Sequence, residues 1–337
     1  MPRPPAPRST PIDVAGTTIA PGRRELVEVP VARLPTATSL NLPIVVVHGL
    51  RPGPKLWLSA VVHGDELNGM EIIRRVLEVV RPRQLSGTLL AVPIVNVYGM
   101  LGETRYLPDR RDLNRAFPGS SHGSLASRLA NLFMTNVAEA CDMGIDLHTG
   151  SDHRFNLPQV RGDLDDPANR ALAEAFGAPV SIHSPLRDGS LREACRRRGI
   201  PVVVYEGGEA HRFNEPVIAA GTDGILRVLA SLGMRTASPV PDPLPTTIVR
   251  HTQWVRARRT GILRTTVAPG DRVNPGQVLG VIADAVGGSR ATVKAPFTGV
   301  VIGQAQHPLV HSGDALFHLA DLDPAAKGHA ARLPRRT

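Results

Sequence analysis

Three short segments hold the residue types that do chemistry: His63-Gly64-Asp65-Glu66, Asp112-Leu113-Asn114-Arg115 and Asp146-Leu147-His148-Thr149. His63, Glu66 and His148 make up the ligand set of a catalytic zinc, one ion per chain. A zinc with three protein ligands keeps its fourth position open for water, which separates a hydrolytic site from a closed structural one. His63 and Glu66 stand at i and i+3 across an expected strand-to-helix turn, so both can point at one metal. Gly64 gives that turn conformational freedom. Alone, a His-x-x-Glu match is more often a hydrogen-bonded surface pair. His148 raises it, because it follows a second expected strand. In a parallel sheet both strands end on one edge, where open α/β sheets bind their ligands. Asp146 reads as a helix N-cap or as a partner that orients a ligand histidine.

Hydrolysis also needs a base and a cation. Glu206, in Tyr205-Glu206-Gly207-Gly208-Glu209, follows an apolar strand beside glycines that let a substrate backbone approach. It is preferred over Glu209 because it stands directly at the strand end. Arg105 is the candidate for stabilising a developing oxyanion. Asn114 and Arg115 suit a substrate carboxylate, which the planar donor fork of arginine matches. For any one arginine a surface role competes: of the 39 basic residues, only Lys55, Lys294 and Lys327 are lysine.

The elements that must position these residues are read from periodicity. Residues 43–48, 55–62, 88–95, 143–147 and 201–205 form apolar, β-branched runs expected to be strands. Helical spacing covers 67–80, 124–140, 167–176, 189–198 and 214–233. Strands alternating with helices imply an α/β domain over 12–235, with a largely parallel sheet covered on both faces. Residues 1–11 are Pro-rich and expected to be disordered, and 236–245 read as a linker. From 246 to 322 turn signals such as Pro269-Gly270-Asp271 and Ser312-Gly313-Asp314 punctuate short β runs in two similar halves, a small all-β domain with pseudo-twofold symmetry. Residues 323–337 form a basic tail.

Composition narrows the function classes. With 337 residues and 42% apolar content the chain can bury a large core, built from aliphatic residues since aromatics are 4%. Cys141 and Cys195 are too few for a disulfide framework. No apolar run of about 20 residues predicts a membrane span, and the first residues lack a signal-peptide core, so the expectation is a cytoplasmic protein with no membrane partner. The net charge of +9 sits partly in tails that carry no aromatics to stack on bases, which argues against nucleic acid. A basic surface that gathers anionic substrates is the better reading. Nothing in the sequence decides between a monomer and a homo-oligomer.

Taken together and in order, His63-Gly64-Asp65-Glu66, Arg105 through Asp112-Leu113-Asn114-Arg115-Ala116-Phe117-Pro118-Gly119, Asp146-Leu147-His148-Thr149-Gly150 and Tyr205-Glu206-Gly207-Gly208 resemble the succinylglutamate desuccinylase/aspartoacylase family. The resemblance spans roughly residues 40–235, and the family is itself similar to the zinc carboxypeptidases. It implies a zinc-carboxypeptidase-like α/β/α domain with a mostly parallel central sheet. It implies zinc ligation by His63, Glu66 and His148, and Glu206 as the base that activates a zinc-bound water and then protonates the leaving amine. Arg105 would polarise the scissile carbonyl, with Arg110 and Arg111 as rivals. Asn114 and Arg115 would bind the α-carboxylate. The implied substrate is a small N-acyl amino acid of acetyl or succinyl type. A zinc carboxypeptidase acting on short peptides is the alternative, and a non-enzymatic carrier the third reading. Loops 151–165 and 183–193 are expected to set side-chain selectivity; of His153, Arg154, Arg161, His183 and Arg187 within them, a surface position is the commoner reading for each, and any that reach the substrate would favour an acidic group.

The C-terminal segments Gly270–Leu279 and Lys294–Val301 resemble a biotinyl/lipoyl-type β-sandwich. Members that carry a prosthetic group place a lysine at a hairpin tip, whereas Ala285–Arg290 has none. The expectation is an unmodified domain that shapes the pocket mouth or makes an oligomer contact.

Overall fold

Local signals set the element boundaries. Asp166 caps a helix by accepting from Asn169 N–H at 2.9 Å, Pro167 opens that helix, and Gly177 closes it with φ +69°. Ser124 and Ser190 cap two further helices in the same way. The structure, a computed structural model, describes residues 8–151, 153–236, 240 and 246–322. The start of the Pro-rich stretch, most of the expected linker and the whole basic tail lie outside the described residues. Ser9 and Thr10, expected to be disordered, are held: Ser9 N–H donates to Leu50 O at 3.0 Å, and Thr10 O contacts His48 Nε2 at 2.8 Å.

Strands β1 (Ile12–Val14) and β2 (Thr17–Ile19) pair with each other. Then come β3 (Arg23–Arg33), β4 (Ser39–His48), β5 (Arg51–Ala60), α1 (Asn68–Val79), β6 (Ser86–Val92), α2 (Val97–Leu101), α3 (Leu125–Phe133) and β7 (Met143–Gly150). β8 (Arg154–Gly162), α4 (Pro167–Phe176), β9 (Val180–His183), α5 (Leu191–Arg196), β10 (Val202–Glu209) and α6 (Glu215–Ser231) follow. The remainder is all strand: β11 (Thr247–Val249), β12 (Thr252–Arg256), β13 (Gly261–Thr265), β14 (Arg272–Val273), β15 (Val278–Ala283), β16 (Arg290–Lys294), β17 (Gly299–Ala305), β18 (Leu309–Val310) and β19 (Ala315–Asp321).

One sheet carries the molecule, in the order β12-β19-β17-β8-β10-β7-β5-β6-β4-β3. Its centre, β10-β7-β5-β6, is parallel. The flanks are mostly antiparallel, β3 on β4, β4 on β6, β8 on β10 and β17 on β8, while β9 joins β8 in parallel. The expected mostly parallel sheet is therefore corrected to a mixed one. Parallel neighbours need a long crossover, and the short β3–β4 connection permits only reversal. Helices α1, α4 and α6 cover one face around Ile73, Phe176 and Tyr205. Helices α3 and α5 cover the other around Trp57, Phe133 and Cys195. The helix expected over 124–140 changes at Phe133 to a wider π-type turn over Met134–Ala138. Gly144 is required where Trp57 packs, since a Cβ there would lie 1.9 Å from the indole.

The C-terminal strands form a second core around Leu279, Val301 and Phe317. Its halves exchange strands: β14 of the first pairs with β17, and β18 of the second pairs with β13. That interchange matches the repeat seen in sequence. This part does not stand apart, because β17 hydrogen-bonds β8 and β11 hydrogen-bonds β9. Among the described residues no helix is long and apolar enough to cross a membrane.

Candidate active site

Three neighbouring parallel strands deliver the centre. β5 ends at Ala60, Val61 turns with φ +55°, and His63 follows. β7 carries Asp146 and His148, and β10 sets Glu206 in register with His148. Glu66 lies just before α1. Gly64 is there for space rather than turn freedom: a Cβ would lie 1.9 Å from the Gly99 carbonyl carbon.

His63 Nδ1 lies 2.8 Å from Glu66 Oε1, and His148 Nδ1 lies 2.8 Å from Glu66 Oε2. The other ring nitrogens meet carboxylates, His148 Nε2 to Asp146 Oδ2 at 2.7 Å and His63 Nε2 to Asp112 Oδ1 at 3.2 Å. Asp146 is thus an orienting partner within β7 and not an N-cap, with its second oxygen held by Ser59 Oγ at 2.5 Å. Asp112, quoted in sequence without a role, also accepts from Arg105 Nη2 at 2.9 Å. Thr149 N–H donates to Glu66 Oε2 at 3.0 Å.

Burial disfavours an imidazolium here, yet Glu66 and Asp112 outweigh it and raise His63 above its ordinary range. For His148, Asp146 and Glu66 do the same against complete burial, and more strongly. Burial likewise opposes ionised Glu66, but the two histidines hold it well below the carboxylate range. The cluster therefore favours positive charge between Glu66 and the two Nδ1 atoms. Ligand atoms of His63, Glu66 and His148 all lie within 4.8 Å of one another, close enough to hold one metal ion.

All seven expected residues line one cavity of about 270 Å³: His63, Glu66, Arg105, Asn114, Arg115, His148 and Glu206. Asn114 uses its side-chain oxygen to accept from Leu191 N–H at 2.9 Å, which ties it to the start of α5. Glu206 is not at a strand end. It sits inside β10, where the register shifts before Gly208. Its glycines make room for packing rather than substrate: a Cβ at Gly207 would lie 2.7 Å from Val217, and one at Gly208 2.5 Å from Asn68 Nδ2.

Of the expected selectivity loops, 151–165 is mostly strand β8. Arg154, Arg161 and Arg187 do line the cavity, whereas His153 and His183 do not. His183 instead lies near Asp163 and Asp165. Arg111 pairs loosely with Asp109 at 3.9 Å, and neither it nor Arg110 lines the cavity. Sequence reasoning missed three contributors, Asn156, Arg192 and Trp254, and the contact that a fourth, Arg161, makes with Glu206. Asn156 Nδ2 donates to Glu206 Oε2 at 2.8 Å, and Arg161 stands 3.4 Å from the same oxygen. Arg192 is anchored on Ser184 O at 3.2 Å, and Trp254 reaches in from β12. Polar alternation around Asn156 was the available signal for β8, and Pro158 masked it.

Residues 52–232 match the succinylglutamate desuccinylase/aspartoacylase catalytic domain. The chain is 29% identical over 297 residues to an N-alpha-acetyl-L-2,4-diaminobutyric acid deacetylase of Halomonas elongata, covering 84% of this chain and 86% of that one. It is similar to a solved succinylglutamate desuccinylase/aspartoacylase from Rhodobacter sphaeroides, with 28% identity, a TM-score of 0.78, and coverage of 89% of this chain and 95% of that one. The fold is shared with the product-bound ectoine utilization protein EutE (DoeB) from Ruegeria pomeroyi, at 23% identity, a TM-score of 0.79, and coverage of 95% and 100%. Motifs, mixed α/β sheet and matched span agree, and the chain belongs to the succinylglutamate desuccinylase/aspartoacylase family.

Proposed function

We propose that this protein is a zinc-dependent amidohydrolase that removes a small acyl group from the nitrogen of an amino acid. One observation carries the reading: two histidine Nδ1 atoms converge on Glu66 while their Nε2 atoms are braced by Asp146 and Asp112. A neutral imidazole has one N–H, so it cannot donate from both nitrogens. With a divalent cation held by His63, Glu66 and His148, each Nε2–H donates to its aspartate and each Nδ1 becomes a ligand. The donor set thus fits zinc, which when bound would polarise a carbonyl and make water acidic at neutral pH.

The chain's own residues supply the rest. Asn156 and Arg161 engage Glu206 Oε2, which leaves Oε1 to take a proton from water and deliver it to the departing amine. Arg105, fixed by Asp112, faces the cavity as the cation for the carbonyl oxygen. Arg115 and the Asn114 amide bind the substrate's α-carboxylate.

The Halomonas relative's name supports deacylation of an N-acyl amino acid. A cavity of about 270 Å³ matches a small ligand rather than an extended peptide. Six arginines line it, which favours an acidic or neutral substrate over a cationic diamino acid. Dialysis against a chelator should abolish amide hydrolysis, and zinc should restore it. Glu206→Gln should retain one zinc per chain and lose turnover about a hundred- to ten-thousandfold. Full activity in that variant would refute the assigned base.

A further inference from the structure

The C-terminal strands reach the cavity through one row of in-register residues. Gly208, Asn156, Gly303, His318 and Trp254 stand side by side across β10, β8, β17, β19 and β12. Gly303 packs closely here: a Cβ would lie 3.0 Å from Asn156 Oδ1 and 3.2 Å from His318 Cβ, tight enough to push one of them aside. Trp254 lies flat on His318, with centroids 4.5 Å apart and planes 8° from parallel. The Arg154 guanidinium stands 5.6 Å from the centre of the indole. Held in this way, Trp254 presents a fixed apolar surface to a cavity otherwise lined mostly by polar groups.

Sheet order gives the cavity a direction. Asp112, which precedes Asn114 and Arg115, braces His63 beyond the end of β5. Trp254 comes from the other side of Glu206, beyond β8, β17 and β19. A substrate whose amide lies at His63, Glu66 and His148 has Glu206 and, on the β8 side of it, Trp254, so an acyl group directed to that side meets the indole. We propose that Trp254 is the residue that limits acyl length, so that removing the indole admits longer chains. This rests on the deacylase reading given above.

The test compares kcat/KM for N-acetyl, N-butanoyl and N-hexanoyl derivatives of one amino acid. The wild type, Trp254→Phe and Trp254→Ala are assayed as full-length, zinc-loaded proteins. The hexanoyl-to-acetyl ratio should rise by at least about tenfold in Trp254→Ala, because each methylene accommodated by an apolar pocket is worth about tenfold or more. Trp254→Phe should fall between, and its shift decides the matter if the alanine variant does not fold. A binding readout is independent of turnover. The chain has two tryptophans, Trp57 and Trp254, and Trp57 is fully buried. In Glu206→Gln, a change of emission on adding the N-acetyl substrate should vanish when Trp254 is also replaced by Phe. An unmoved ratio in both variants overturns the proposal while leaving deacylation standing. Failure of the wild type to hydrolyse any N-acyl amino acid overturns the parent reading and this one with it.

Discussion

Chemistry here depends on carboxylates placed behind histidines and on an amide placed behind a carboxylate. Asn156 donates to Glu206 Oε2 at 2.8 Å, and a hydrogen bond to a charged group contributes roughly 1.5–3 kcal/mol. Asn156→Ala should therefore lower kcat about ten- to a hundredfold with KM changed by no more than a few-fold. Steady-state kinetics on the preferred substrate check this, and a pure KM effect would remove Asn156 from the support of the base. The ligand residues were legible because His63 and Glu66 are three apart in one turn and His148 ends an obvious apolar strand. Asn156 and Trp254 were not, because their place depends on the register of β8 and β12 against strands far away in sequence. A residue's spacing along the chain says nothing about its neighbours across a sheet.

At the scale of elements, close backbone approach decides which glycines matter. The turn carrying His63 and Glu66 packs on α2 so tightly that a Cβ at Gly64 would overlap the Gly99 carbonyl carbon at 1.9 Å. Gly64→Ala should cost on the order of 3 kcal/mol and displace both ligand residues. Thermal melts should show the loss, and zinc content should fall with it. A variant with wild-type melting and one zinc per chain would contradict the packing argument. Helices α1, α4 and α6 and the four central strands were readable because their apolar residues repeat at one clear period. β3 was not, since of Arg23-Arg24-Glu25-Leu26-Val27-Glu28-Val29 only Val27 and Val29 are buried and the rest face solvent. β8 carries Pro158, which argues against a strand inside a sheet, and yet it lies between β10 and β17.

Across the whole molecule, sheet continuity makes the C-terminal strands part of the site. Truncation before residue 246 would strip β17 from β8 and uncover the edge that carries Asn156. The truncated chain should be insoluble or inactive, and a soluble, fully active fragment would contradict this. The joint also carries a pH dependence. Burial, aided by Arg161, lowers His318 from 6.5 to about 3, so the folded protein holds it neutral. The unfolded chain protonates this ring below about 6.5, so the stability it contributes is intact above that pH and is lost as pH falls toward 3. At pH 4 the loss is roughly 3 kcal/mol. Denaturant titrations at pH 7 and pH 4 should show His318→Phe losing less stability on acidification than the wild type. Equal losses would contradict a neutral buried ring. The most direct measurement of the central claim is amine release by the zinc-loaded protein. The panel holds N-acetyl and N-succinyl amino acids with acidic, neutral and basic side chains, and short peptides with free C-termini. Release from an N-acyl amino acid, lost in Glu206→Gln, is the predicted result. Release from peptides alone would contradict the account and point to a carboxypeptidase with an open groove.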